Sequence, residues 1–473
     1  MISRLPKVLT LIVMPLIIYL LSPQVAPAQT FQVVNMIPNS LSGETNCDAE
    51  PNLAVNPANP QQIAASAFTP DPLSSNSGPI FVSTNGGTTW TLNVVLPGGD
   101  QTDDVTLRFA ETSGILYAGI LRHDNSKVSV LSKAGLLTSG LMNELASLAN
   151  ADQPYIQATT FSGLGVDRVY MGYNDLAAHP KNATVEQSLD AAQPSAYVPE
   201  HIEARTSCDG PSIRTAVHSP SGTVYATFFR WNTCKPPISA DVIVVRDDAW
   251  GGGLNPYSAI GVNGVGVAVA SGISIASMLL GSQRVVVGSS LTIAVDPRDP
   301  QTLYVAWADG TTAATSTLHL RRSSDGGATW SGDLRSLAAA TNPALAVNNQ
   351  GWVGFLYQKL TSANGKNVWE THLELSDSRF AKQPADAKLA IVSDTNDSCA
   401  DSNPLGDYDH LMAVGKDFYG IFSAYNLPDL TAFPMSVVYQ RNVDWNHPAL
   451  KDLAGHPGVP FSIDPFFFVV KMP

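Results

Sequence analysis

The chain has 473 residues, of which 44% are hydrophobic and only 14% charged, and its formal net charge is −13. An acidic balance of this size argues against nucleic acid or an anionic membrane as partner, since both demand a basic face. The 36 glycines and 33 prolines disfavour long helices, while the hydrophobic share is ample for a large core and excludes wholesale disorder.

Residues 1–28 read as a secretory signal. Arg4 and Lys7 form a basic start, Val8 to Leu21 is apolar, and Ala26-Pro27-Ala28 is a small-x-small cleavage site. The apolar run is shorter than the roughly 20 residues a membrane span needs, and Pro15 interrupts it. The expectation is therefore a secreted protein, extracellular or periplasmic, with residues 29–473 as one domain and no membrane partner after cleavage. Export makes Cys47, Cys208, Cys234 and Cys399 candidates for two disulfides.

From Pro51 onward a repeat recurs at a period of about 50 residues. Each unit is a short apolar strand, a turn, and a second strand of β-branched and aromatic residues. The clearest copies are Pro51 to Pro57 leading to Gln62–Phe68, and Leu291 to Pro297 leading to Thr302–Trp307. Weaker copies open near Val105, Tyr155, Ser212, Ala344 and Asp409. Between them, Leu141 to Leu148 has helical leucine spacing and reads as a loop decoration. The uncharged stretch Gly251 to Gln283 carries Gly, Ser and alternating Val, which is strand and loop chemistry. Seven openings predict an all-β fold: a β-propeller of seven blades, with about four antiparallel strands each. Six blades is the alternative, if one weak copy is an insertion.

Two segments add a family resemblance. Ser83-Thr84-Asn85-Gly86-Gly87-Thr88-Thr89-Trp90 and Ser323-Ser324-Asp325-Gly326-Gly327-Ala328-Thr329-Trp330 fit the pattern Ser-x-Asp-x-Gly-x-Thr-Trp, with Asn for Asp in the first. This resembles the Asp box, or BNR repeat, of the sialidase (neuraminidase) superfamily. The resemblance implies a tight turn between the third and fourth strands of a blade, and a carbohydrate-active setting. It does not extend to the catalytic motifs: no Arg-Ile-Pro occurs, and Phe229-Arg230-Trp231 is no match for it.

Strand order then decides which residues converge. Asp-box turns share a face with the turns between first and second strands, so the opposite mouth collects the starts of first strands and the ends of second strands. There the sequence places Asp48, Glu50, Asp103, Asp104, Asp152, Asp209, Asp407, Tyr408 and Asp409, together with Arg122, Asp175 and Arg230. Crowded carboxylates raise one another's pKa, which suits general acid/base work, and Asp209, Asp407, Asp409 and Tyr408 are the catalytic candidates. The same acids could hold a hard cation such as Ca²⁺, although no cofactor is required. The oxygen-rich run Asp394 to Asn403 is not an EF-hand loop, because counting from Asp401 places Leu405 and Met412 at ligand positions. No metal ligand set is assigned, and no Gly-x-Ser-x-Gly elbow, phosphate loop or dinucleotide fingerprint is present.

The expected function is a secreted, monomeric, sialidase-like propeller that acts on carbohydrate as a glycoside hydrolase through its rim carboxylates. The alternative is a non-catalytic propeller that binds a glycan or a protein. Blade order also selects a cysteine pairing: Cys208 with Cys234 inside one blade, and Cys47 with Cys399 across the closure of the ring.

Overall fold

The computed structural model describes residues 30–68, 78, 80–93, 101–123, 127–136, 138, 140–177, 182–203, 213–233, 238–275, 290–363, 365–393 and 405–473. They form a seven-bladed β-propeller of four-stranded antiparallel sheets. The innermost strands of blades 1 to 7 are Ala49–Val55, Thr102–Phe109, Ala151–Phe161, Ile213–His218, Leu291–Asp296, Ala340–Val347 and His410–Val414. They coincide with the seven repeat openings. No α-helix occurs among the described residues, and no helix there is long and apolar enough to cross a membrane.

Each blade is covered on both faces by its neighbours, which explains second strands apolar on both sides. Thr223–Trp231 of blade 4 is buried at every position but the last. Core clusters accordingly straddle neighbouring blades, as where Ile120 and Leu131 of blade 2 pack with Ala54 and Val82 of blade 1. Fully burying an aliphatic or aromatic side chain contributes roughly 1.5–3 kcal/mol. Close approach dictates Gly172, where a Cβ would lie 2.8 Å from Ile213 of the next blade.

The Asp boxes join third to fourth strands, Ile80–Ser83 to Thr91–Asn93 and Thr317–Ser323 to Arg335–Ala338. In the first, Asn85 Oδ1 accepts the Thr89 amide at 2.9 Å and Ser83 Oγ accepts the Gly87 amide at 2.9 Å. Gly87 has φ +87°, and Trp90 is buried edge-on against Phe467 of blade 7, with ring centroids 5.2 Å apart. Asp325 repeats the turn in blade 5.

Leu141 to Leu148 is not a helical decoration. Asn143–Leu148 is the fourth strand of blade 2, paired with Lys127–Lys133, and half-buried Leu145 and Leu148 pack on the core between blades 2 and 3. A short outer strand with one apolar face and several exposed residues reads almost equally well at either period. Val267–Ile275 in the uncharged stretch is the fourth strand of blade 4.

Blade 7 closes the ring with both chain ends. Its strands are His410–Val414, Asp417–Tyr425, Ile463–Lys471 and the N-terminal Thr30–Asn35, with Val438–Tyr439 added in parallel outside. Residues 426–462, between its second and third strands, carry a buried clamp. Arg441 donates to Asp464 at 2.7 and 2.9 Å and to the carbonyls of Ser42 and Glu44, while Asn35 Nδ2 donates to Asp464 Oδ2 at 2.6 Å. Cys47 forms a parallel bridge with Ile463 at this seam; Cys208, Cys234 and Cys399 lie outside the described residues.

Candidate functional site

Irregular pairing at the starts of the innermost strands shapes the mouth. The register slips between Ala49 and Asn52, Thr102 and Val105, Asp152 and Tyr155, and Thr341 and Ala344. Glu50, Gln153 and Asn342 in these bulges take positive φ of 51–53°. Polar residues therefore interrupt strands that are otherwise apolar.

Blades 7 and 2 meet through a hydrogen bond in which the Tyr408 hydroxyl donates to Asp104 Oδ1 at 2.7 Å. Asp104 is buried, and that burial, with the charge of Asp152, pushes its carboxyl up to about 7; the Tyr408 bond opposes the rise, and Asp407 and Asp103 reinforce it. Tyr408 is itself pushed well above the ordinary phenol by burial and by Asp104 and Glu50. Asp103, Asp152 and Asp407 thus act electrostatically on Asp104, and Glu50 on its partner Tyr408. Asp103 also pairs with exposed His123 at 2.8 Å.

Beneath them lies an aromatic and cationic floor. The Arg214 guanidinium sits 4.8 Å from the Tyr155 ring centre and 5.9 Å from that of Tyr408. Tyr155 meets His410 edge-on at 6.1 Å, and His410 Nδ1 accepts the Leu53 amide at 3.3 Å. Burial, with Arg108 and Arg214 nearby, holds His410 well below its usual pKa, so the ring is neutral. The space bounded by Asn52, Tyr155, Arg214, Asp409 and His410 is about 10 Å³, room for about one water. A ligand at this mouth therefore rests above the floor rather than in a deep channel.

Asp409 bounds this same space; burial alone pushes its carboxyl well up, Gln358 Nε2 donates to Oδ1 at 3.4 Å, and Oδ2 has no hydrogen-bond partner among the described residues. The other candidates occupy separate settings. Arg230 is held by Glu203 at 3.2 Å and the Val265 carbonyl at 2.8 Å, between blades 3 and 4. Asp175 accepts the Ala177 amide at 3.0 Å and lies 3.9 Å from His201. Asp48 uses its main chain, taking the Ser423 hydroxyl at 2.8 Å. Arg122 is buried opposite Thr102 at the end of its strand. Asp209 lies outside the described residues, as does the whole Asp394 to Asn403 run. Asn182, in a glycosylation sequon, is buried and bonded through both side-chain atoms to the Glu203 backbone.

Sequence reasoning passed over Arg108, Tyr155, Arg214 and His410. The signal was present: Leu107-Arg108-Phe109 and Ile213-Arg214-Thr215 place a cation in an innermost strand, where charge is expensive without a role. Chemically, the mouth offers a carboxylic acid still protonated near neutral pH beside carboxylates, which is the equipment of acid/base catalysis. No group of three or more His, Cys, Asp or Glu suited to a metal ion is found among the described residues.

No protein-family model matches the chain, and no curated protein does. Among solved structures, an alpha-L-arabinanase from Penicillium chrysogenum, complexed with arabinobiose, is 13% identical over 74% of this chain and 99% of its own, with TM-score 0.46. A Fusarium graminearum alpha-L-arabinofuranosidase, also with arabinobiose, is 12% identical over 73% and 97%, with TM-score 0.40. An ulvan lyase is 12% identical over 80% and 91%, with TM-score 0.40. All three are distant structural likenesses.

Proposed function

We propose that the chain is a secreted carbohydrate-active propeller, a glycoside hydrolase whose mouth uses Asp104 as proton donor. The observation that carries this reading is the Asp104 carboxyl, lifted to about 7 amid Asp152, Asp407 and Asp103 while Tyr408 holds one of its oxygens. Glycosidic cleavage needs one protonated carboxyl at the leaving oxygen and one ionised carboxylate at the sugar or at a water. Asp152 and Asp407 are the candidates for the second role. Tyr408 fixes the acid's orientation and, with Tyr155 and Arg214, forms the surface on which a sugar ring would rest. No metal or redox group is called on.

The test is turnover of a panel of aryl glycosides and oligosaccharides by the mature chain and by Asp104→Asn. A proton donor supplies about 10²–10⁴-fold, so the variant should lose kcat by that factor with KM nearly unchanged, and least on substrates with acidic leaving groups. Wild-type kcat in Asp104→Asn would remove Asp104 from the mechanism. Glycan binding by both proteins without turnover of any substrate would instead establish the binding-module alternative.

A further inference from the structure

We propose that a cavity between blades 6 and 7, separate from the central mouth, binds a small apolar molecule with a cationic end. The cavity measures about 580 Å³, within the roughly 300–1,000 Å³ typical of small-molecule sites. Its floor is the mouth-side end of two blades: Val368, Ile391 and Val392 of blade 6, and Ala424 of blade 7. The 426–462 segment, Phe461 included, builds its walls, with Phe433 buried at the back.

The walls are tied in place, so the space is pre-formed. The Tyr425 hydroxyl donates to the Ser393 carbonyl at 2.6 Å, linking the blades, and its ring lies 4.2 Å from Phe461. Tyr439 donates to the Leu427 carbonyl at 2.8 Å, holding the segment down. At the lip, Leu427 is 41% exposed. An exposed leucine beside an apolar cavity is what an entering apolar group would cover.

Charge selects the other end of the ligand. Among the described residues lining the cavity, Asp429 is the one carboxylate, and no Lys, Arg or His is present. Its Oδ1 accepts the Thr431 amide at 2.9 Å and hydroxyl at 2.7 Å, capping a single 3₁₀ turn, and it makes no ion pair among the described residues. Oδ2 remains available at the lip. A protonated amine above Asp429, with an alkyl or aryl body against Phe433 and Phe461, satisfies both features; an anionic amphiphile satisfies only one.

The experiment titrates the folded chain with neutral N-phenyl-1-naphthylamine as fluorescent probe. Decylammonium, decanol and decyl sulfate then compete below their micellar concentrations. The expected result is one saturable probe site, with decylammonium displacing the probe at least tenfold better than decyl sulfate. Asp429→Asn keeps the Oδ1 cap and should cut that preference below threefold while leaving probe affinity unchanged. Ala432→Trp fills the cavity and should weaken the probe at least tenfold with glycan turnover at the mouth unaltered. The inference falls if no saturable site exists, if folded Ala432→Trp binds like wild type, or if Asp429→Asn keeps the cationic preference. Should Ala432→Trp not fold, the Asp429→Asn result decides. Because the readout is probe displacement, it stands or falls independently of the glycosidase reading.

Discussion

Replacing Asp104 by Asn separates the charge of the mouth from its shape. The substitution retains Oδ1, the acceptor of the Tyr408 hydroxyl at 2.7 Å, and replaces the ionisable Oδ2 by an amide nitrogen that does not titrate. In the wild type, burial and Asp152 hold the carboxyl at about 7 rather than near 4. Between those values the folded protein keeps a proton that the unfolded chain has released. The group's contribution is therefore fully present below about pH 4 and declines as pH rises to 7. At about 1.4 kcal/mol per pH unit, that interval sets a ceiling near 4 kcal/mol, and about 2–4 kcal/mol is the working range at pH 8. Asn never ionises and escapes the loss.

The unfolding entropy of a ring spanning residues 30–473, at about 2.1 cal/mol/K per residue, is on the order of 0.9 kcal/mol/K. Asp104→Asn should therefore raise the Tm by about 2–4 °C at pH 8 and leave it unchanged at pH 4. Scanning calorimetry of both proteins at pH 4, 6 and 8 measures the difference directly. A Tm difference independent of pH, or a variant less stable at pH 8, would refute the claim that Asp104 is ionised at a cost. Gained stability with lost turnover is the signature of a group kept for function.

Three further outcomes follow from the fold. Arg441→Met leaves Asp464 buried with Asn35 as its remaining side-chain partner, so stability should drop by about 3–5 kcal/mol in denaturant titration; a loss below about 1 kcal/mol would mean that the clamp is dispensable. Asn85→Ala and Asp325→Ala should each cost about 1 kcal/mol and spare turnover. Asp325 differs in one respect: although slight burial opposes it, hydrogen bonds from Thr329 and Ser323 hold its carboxyl below the usual range. Its contribution is present above pH 4 and fades as pH falls, so the Asp325→Ala deficit should shrink in acid while that of Asn85→Ala does not. Non-reducing peptide mapping should find Cys47–Cys399 and Cys208–Cys234, with the secreted chain starting near Gln29; a Cys47–Cys208 bond would contradict the pairing.

The propeller was legible because its signals are local. Short apolar runs rich in β-branched and aromatic residues, set apart by turns, mark first and second strands, and the Asp-box turns at Asn85 and Asp325 mark the third-to-fourth connection. Pairing between chain ends is invisible to such patterns. Thr30–Asn35 carries no mark that it completes blade 7, since its partner Ile463–Lys471 lies at the other end of the sequence. Position along a strand also told which residues approach the mouth, but not which way each side chain turns. Asp407, Tyr408 and Asp409 are consecutive; Tyr408 reaches Asp104, while Asp409 is met by Gln358. All three precede the strand His410–Val414 and lie in irregular backbone, so the two-residue period of a strand does not assign their side chains to a face.

The two ends of the chain and the candidate acid are mechanically joined. Tyr408 belongs to the last blade and Asp104 to the second, so their bond passes across the start of blade 1. Its geometry depends on blade 7 keeping its place against blade 1. That placement rests on the N-terminal strand, on Trp90 against Phe467, and on Arg441 bridging Asp464 to the Ser42 and Glu44 carbonyls. Burial and the neighbouring Asp464 push Glu44 up to about 8, so at neutral pH it is largely uncharged and Arg441 is left to neutralise Asp464. Loosening this seam removes the Tyr408 hydroxyl from Asp104 and admits water around the carboxyl, and both changes act on its proton affinity. A closure-weakened variant such as Arg441→Met should therefore shift the alkaline limb of the pH–rate profile as well as the Tm, although Arg441 touches neither Asp104 nor a substrate. An unshifted limb in a variant with lowered Tm would show that the mouth is held by the blades individually, not by the closure of the ring.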